Sequence, residues 1–444
     1  LPNHMRKNRK IARARFTKPA PFCRIAHALS LQAKVGRPLA GIPVVFLAVA
    51  ASSAGMVALL IRLAHSRAWF DRTSERRVHS GNVPRLGGLG FVPVFVAAST
   101  VIMLLFSRTS DFARFLPVLF AACAIVFFGV WDDFRPMRPL AKLLVQVGAA
   151  LCVVLPGYVF RRVAFFGEGL FLQQNPWLAY LITVLWLVGM TNALNLLDGV
   201  DTLAGGISLI VALTFAYIFS RYAGVSSSVM ICVALAGAVA GFLVFNAPLP
   251  KARIFMGDGG SQFLGFTLAL LPLLEERYTL ATLPTLYVAA IMAIPILDTV
   301  AAVWRRIRDR RPLSSPDRSH VHHKLMNLGL GVGQIGAVLF GLQAALSALV
   351  VAALKLADSP RAAAWAPMAA LGLAYLLALA FFSALHFMNR NALRRAGERP
   401  PEALGAGIPG AAGVSGAAGM PGAAGIPGAA CGSAAAPGAG RRLA

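Results

Sequence analysis

Four short polar motifs punctuate an otherwise apolar chain. They are Trp131-Asp132-Asp133 with Lys142, Asn192-x-x-Asn195-x-x-Asp198 running on to Asp201, Met256-Gly257-Asp258-Gly259-Gly260-Ser261, and His320-x-His322-His323. Only 17 of 444 residues are acidic, so carboxylates gathered in three of these motifs point to a site. Two adjacent carboxylates beside a lysine suit a place that holds a divalent ion and tolerates phosphate. Pro136 and Pro139 enforce a tight turn after the pair, and Lys142 falls in the first turn of the helix that follows, able to point back. A helix-end pair neutralised by Arg135 and Arg138 is the competing explanation.

Asn192, Asn195 and Asp198 recur at every third position and therefore spread along one helix flank. Buried amides and carboxylates at membrane depth are costly unless they pair or work, and interhelical hydrogen bonding is the other use open to them. Gly257–Ser261 reads as the opening of a helix, whose N-terminus favours phosphate. Asp258 is badly placed there to meet phosphate directly but well placed for Mg²⁺ that in turn binds phosphate. His320, His322 and His323, with Arg318 and Lys324 beside them, suit hydrogen bonds to phosphate. Zinc is the alternative, yet neither a cysteine nor a paired acidic ligand lies nearby. Pro84-Arg85-Leu86-Gly87-Gly88 makes a second basic loop, suited to a lipid head group.

The elements that must position these motifs follow from composition. Hydrophobic residues make up 57% of the chain and charged residues 13%, with a mean hydropathy of +0.69; a soluble chain carries about twice that charge. Apolar stretches of about 20 residues, enough to cross the hydrocarbon as helix, recur throughout. The expected fold is an all-α, polytopic membrane protein with about eleven spans: 41–64, 87–107, 112–131, 139–159, 176–197, 203–220, 227–247, 260–274, 280–304, 333–356 and 365–388. The eighth is short, ended by Pro272 and Glu275-Glu276-Arg277, and reads as tilted or partly re-entrant. Lys and Arg concentrate in the loops on one face, which makes that face cytoplasmic, and all four motifs lie on it.

The chain divides into a basic extension (1–40), a membrane-embedded domain (41–390) and a tail (391–444). The extension carries ten Lys or Arg and no acid. Its charge opposes the topology of everything after it, so it reads as a start site placed too early, a targeting peptide being the alternative. It also inflates the net charge of +25, which therefore implies no nucleic-acid partner. In the tail, Gly recurs every third residue from Gly407 to Gly428, but with too little Pro for collagen; low-complexity disorder is the expectation. The five cysteines show no paired spacing and read as small packing residues.

In order, spacing and side, the motif set over residues 41–335 resembles the polyprenyl-phosphate N-acetylhexosamine-1-phosphate transferases of glycosyltransferase family 4. Pro84–Gly88 and His320–His323 are similar to the branch using undecaprenyl phosphate and UDP-N-acetylglucosamine. The phospho-N-acetylmuramoyl-pentapeptide branch tends to show three consecutive histidines. Thr202 departs from the family, which usually has Gly there, and the linker from Asn246 to Asp258 is longer than in the muramoyl branch. The resemblance implies transfer of a sugar 1-phosphate from a UDP-sugar to undecaprenyl phosphate, with release of UMP. Asp132, Asp133, Lys142 and Asp198 would be catalytic, and Asp258, Asn195 and Asp198 would hold Mg²⁺, with Mn²⁺ as the substitute. Asn192, Asp201, Asn246, Arg318, His320, His322, His323 and Arg85 would contact substrate. The implied setting is the plasma (inner) membrane with the site facing the cytoplasm, and a homodimer is among the expected assemblies. The rival from another class is an ion-coupled transporter, against which stand acidic residues at span ends and no internal repeat.

Overall fold

The computed structural model describes residues 41–395 and 397, apart from 68, 70–82, 166–167, 173–174, 248–250, 279–284, 313–314, 316 and 318. The basic extension and the glycine-repeat tail fall outside the described residues. Helices dominate: α1 (Gly41–Arg67), α2 (Gly87–Phe106), α3 (Thr109–Phe134) and α4 (Pro139–Val154) come first. A small antiparallel hairpin, β1 (Arg162–Phe165) and β2 (Glu168–Phe171), follows, with Arg162 opposite Phe171. Then come α5 (Pro176–Leu197), α6 (Leu203–Ala223), α7 (Ser227–Asn246), α8 (Gly257–Tyr278), α9 (Thr285–Ile291), α10 (Ala293–Arg308), α11 (Val321–Asn327), α12 (Val332–Asp358) and α13 (Ala366–Arg395).

Eight of these helices are long and apolar enough to cross a membrane, or nine if α9 and α10 count as one span. The protein is thus an α-helical, multi-pass membrane protein. Two of the eleven expected spans fall short of that standard. α4 is only 16 residues long. α8 has 22 residues, with Asp258 in its first turn and charged residues at its end. It is not the short, tilted span expected over 260–274. It runs past Glu275-Glu276-Arg277 to Tyr278, and Phe263, Leu264, Phe266 and Leu268 are buried. Packed against α2, α3, α5 and α6, it is the helix around which the site is built.

The expected span 280–304 is two helices meeting at 83°. Pro295 lies in the first turn of α10, where a missing N–H does no harm but an upstream helix cannot continue through it. Two side chains satisfy carbonyls of α9, the half before the bend. Fully buried Gln343 of α12 donates to Ile291 O (2.9 Å), and Tyr375 of α13 donates to Leu286 O (2.6 Å). At the far end, α13 extends to Arg395, five residues into the segment expected as tail.

Candidate functional site

α3 and α4 carry the first motif. Lys142 Nζ forms an ion pair with Asp132 and lies 3.4 Å from Asp258 Oδ2, so one ammonium bridges two motifs 116 residues apart. Asp132 also accepts from Met137 N–H (2.6 Å), which fixes the α3–α4 turn. The adjacent Asp133 faces elsewhere: it accepts from the backbone N–H groups of Asp258 (3.1 Å) and Gly259 (3.5 Å) at the start of α8. The first N–H groups of a helix have no partner within it, and a carboxylate there gains from the helix dipole as well. Arg85, 3.9 Å from Asp133, adds a cation at the same corner.

The glycines of the third motif are explained by close approach. A Cβ on Gly259 would sit 2.8 Å from the Val130 side chain, and one on Gly260 would sit 3.0 Å from the Gly88 Cα. α8 therefore begins wedged between α2 and α3. The basic loop is stitched to the chain before it: Gly87 N–H donates to Phe255 O, Gly88 N–H to Met256 O and Phe255 N–H to Pro84 O, each at 2.9 Å.

α5 brings the second motif. Asn195 donates to Ser261 Oγ (3.0 Å), joining α5 to α8. Asn192 donates to Gln146 Oε1 (2.7 Å), and Gln146 donates to Gln262 Oε1 (3.0 Å). This amide chain ties α4, α5 and α8 together; sequence reading passed over Gln146 because it sits singly in an apolar run, and Gln262 because it lies just past the Gly257–Ser261 motif. Asn246, at the end of α7, accepts from Thr202 N–H (2.8 Å) and donates to Ile254 O (2.9 Å), so both ends of its amide hold backbone. Thr202 itself has φ +67°, the left-handed conformation that glycine, the family's usual residue there, adopts freely. Asp198 caps α5 at the same end of the bundle. Burial and then the charge of Asp258 push its carboxyl up to about 8, with Asp133 and Asp201 adding to the effect and Arg85 opposing it.

The histidine motif opens α11. His320 Nδ1 lies 2.9 Å from Asp298 Oδ2, and Val321 N–H donates to Asp298 Oδ1 (2.9 Å). Asp317 accepts from Arg305 (2.6 Å) and from Ser319 N–H (2.8 Å). Burial works against its ionised form, but the Arg305 hydrogen bond and charge outweigh that and hold its carboxyl below the usual range. His322 is buried over Gly199, where an added Cβ would lie 2.2 Å from its Nε2. This packing brings the histidine motif onto the segment that carries Asp198. Burial, reinforced by His323, pushes the His322 imidazole down to about 3, so the ring is uncharged at neutral pH. Arg318 lies outside the described residues.

Among the described residues, no three His, Cys, Asp or Glu side chains gather closely enough to hold a metal alone. Mg²⁺ takes one or two carboxylates and completes its shell with water and substrate phosphate, so it would not need such a cluster. Asp258 and Asp198 offer the carboxylates and Asn195 an amide oxygen, in a corner where negative charge already crowds.

Comparison with known proteins places the chain among transferases. Residues 115–275, a stretch containing the first three motifs, match the family described as glycosyl transferase family 4. The chain is 35% identical over 285 residues to a probable undecaprenyl-phosphate N-acetylglucosaminyl 1-phosphate transferase of Bacillus subtilis (strain 168), covering 63% of this chain and 76% of that protein. It is 30% identical over 320 residues to an undecaprenyl-phosphate alpha-N-acetylglucosaminyl 1-phosphate transferase of Yersinia pestis, covering 69% and 82%. A decaprenyl-phosphate N-acetylglucosaminephosphotransferase of Mycobacterium leprae (strain TN) is 35% identical over 282 residues, covering 57% and 69%.

Proposed function

The chain belongs to glycosyl transferase family 4, and on that basis we propose that it transfers N-acetylglucosamine 1-phosphate from a UDP-sugar to undecaprenyl phosphate, releasing UMP. The observation that carries this reading is the Lys142 bridge between Asp132 and Asp258 at the N-terminus of α8. It puts a cation, two carboxylates and a helix N-terminus in one corner, the set needed where a lipid phosphate meets a diphosphate. The relatives' names supply the acceptor class and the sugar.

A phosphate oxygen of the lipid attacks the sugar-bearing phosphorus of the diphosphate. One P–O bond forms, the bond to the bridging oxygen breaks, and UMP leaves with that oxygen. A phosphate monoester, with a second pKa of about 6, needs little activation near neutral pH, so direct attack is preferred to a covalent aspartyl intermediate. Lys142 stabilises charge on the transferring phosphoryl group. Asp132 holds Lys142, and Asp133 holds the start of α8 and with it Asp258. Bound between Asp258, Asp198 and Asn195, Mg²⁺ would neutralise charge shared by the two phosphates. Neutral His322 donates or accepts one hydrogen bond near the leaving nucleotide. The basic loop ends support a reading in which this site faces the cytoplasm from the plasma membrane.

A panel of UDP-sugars with purified protein, Mg²⁺ and undecaprenyl phosphate tests the assignment. UMP release is expected with UDP-N-acetylglucosamine and not with UDP-muramoyl-pentapeptide. Efficient use of the pentapeptide donor would move the protein to the other branch. Failure with every UDP-sugar would defeat the enzyme reading.

A further inference from the structure

Asp298 stands apart from the four motifs in sequence, as a lone acid in an apolar stretch, yet it is only 3% exposed. It lies on α10, beyond the 83° bend, and both its oxygens are engaged by the histidine loop: Oδ1 by Val321 N–H and Oδ2 by His320 Nδ1. Seven residues on, Arg305 projects from the same face of α10 and grips Asp317 on the other side of that loop. The loop is thus held at both ends by one helix.

An ionised carboxylate only accepts hydrogen bonds. With Oδ1 taken by Val321 N–H, the short contact at Oδ2 requires His320 to carry its proton on Nδ1. We propose that Asp298 is a positioning residue that fixes the Nδ1–H form of His320 and so presents Nε2 as the working atom toward the diphosphate. No described protein group hydrogen-bonds to that Nε2. The second role of Asp298, holding the first N–H of α11, is separable from the first. An asparagine can still accept from Val321 N–H through its oxygen, but it turns an N–H₂ toward Nδ1. The ring must then accept at Nδ1 and move its proton to Nε2. The same logic makes an Asp→Asn change beside a catalytic histidine damaging without disturbing the fold.

The part that concerns turnover rests on the proposed transfer reaction; the part that concerns the proton does not, and the experiment separates them. ¹⁵N-histidine spectra of the purified protein, with the His320 signal assigned through His320→Gln, should show Nδ1–H in the wild type and Nε2–H in Asp298→Asn. UMP release by Asp298→Asn should fall about 10–100-fold in kcat, the range for losing a group that orients a functional histidine, with the KM for the UDP-sugar within about threefold. The thermal midpoint should stay near that of the wild type. Asp298→Glu should recover part of the activity, and Asp298→Asn added to His320→Ala should cost nothing further. A wild-type His320 protonated on Nε2, or an equal loss from Asp298→Asn in the His320→Ala background, would overturn the proposal. If the wild type releases no UMP from any UDP-sugar, the transfer reading fails while the spectra still judge the role of Asp298.

Discussion

Asp133 accepts hydrogen bonds from the backbone N–H groups of Asp258 and Gly259, 125 and 126 residues further along the chain. Its neighbour Asp132 instead faces Lys142 and Met137. Adjacent carboxylates on one helix end therefore do different jobs, because successive side chains on a helix point about 100° apart. One secures the helix that carries Asp258. The other sets the lysine that meets Asp258.

Substitutions should separate these jobs. Asp133→Ala strands buried N–H groups and should cost about 1–3 kcal/mol of stability, seen as a lowered thermal midpoint alongside lost activity. Asp132→Asn keeps an acceptor for Met137, so the midpoint should hold while turnover falls at least about a hundredfold. An inactive Asp133→Ala with an unchanged midpoint would place Asp133 in the chemistry instead.

Gly199 owes its identity to the His322 ring. Gly199→Ala should displace that ring and reduce turnover about as much as His322→Ala does. The double substitution should be no worse than His322→Ala alone, since the obstructed ring is gone. Additive losses in UMP release would show that Gly199 matters for another reason.

Thr202 holds a left-handed φ of +67°. The strain for a residue with a Cβ is about 1–2 kcal/mol, against a chain-entropy cost for glycine of about 0.5–1 kcal/mol. Thr202→Gly should therefore raise the thermal midpoint slightly and leave activity intact. A clear fall would mean that the threonine side chain contributes more than the backbone strain removes.

His322 also sets a pH dependence. Its folded pKa of about 3 lies below the ordinary 6.5, so between these values the unfolded chain binds the extra proton. Its contribution to stability is present above about pH 6.5 and is lost as pH falls toward 3. Thermal midpoints measured from pH 7 to pH 4 should fall less steeply in His322→Gln than in the wild type. Identical slopes would show that His322 is not the group being protonated.

Much of this architecture was legible because apolar length dominates it. The fifth span, 176–197, coincides with α5, and each of the four motifs sits at the end of a helix or in the loop beside it. What escaped depends on partners distant in sequence. The eighth span was expected to begin at residue 260, yet α8 is helical from Gly257, although three glycines in five residues disfavour helix, because Asp133 satisfies its first N–H groups and Gly88 leaves room for it. The bend after Ile291 is stabilised by Gln343 on another helix, so residues 280–304 alone do not announce it. Gln146 and Asp298 were passed over because an isolated amide or acid in an apolar run carries no pattern until its partner is in view.

Magnesium-dependent UMP release from UDP-N-acetylglucosamine and undecaprenyl phosphate, measured for wild type and Asp258→Ala in parallel, tests the central claim most directly. The Lys142–Asp258 corner as the transfer site predicts metal-dependent release by the wild type and a loss of at least about a hundredfold in Asp258→Ala, with comparable expression. Near-normal turnover in Asp258→Ala would contradict it.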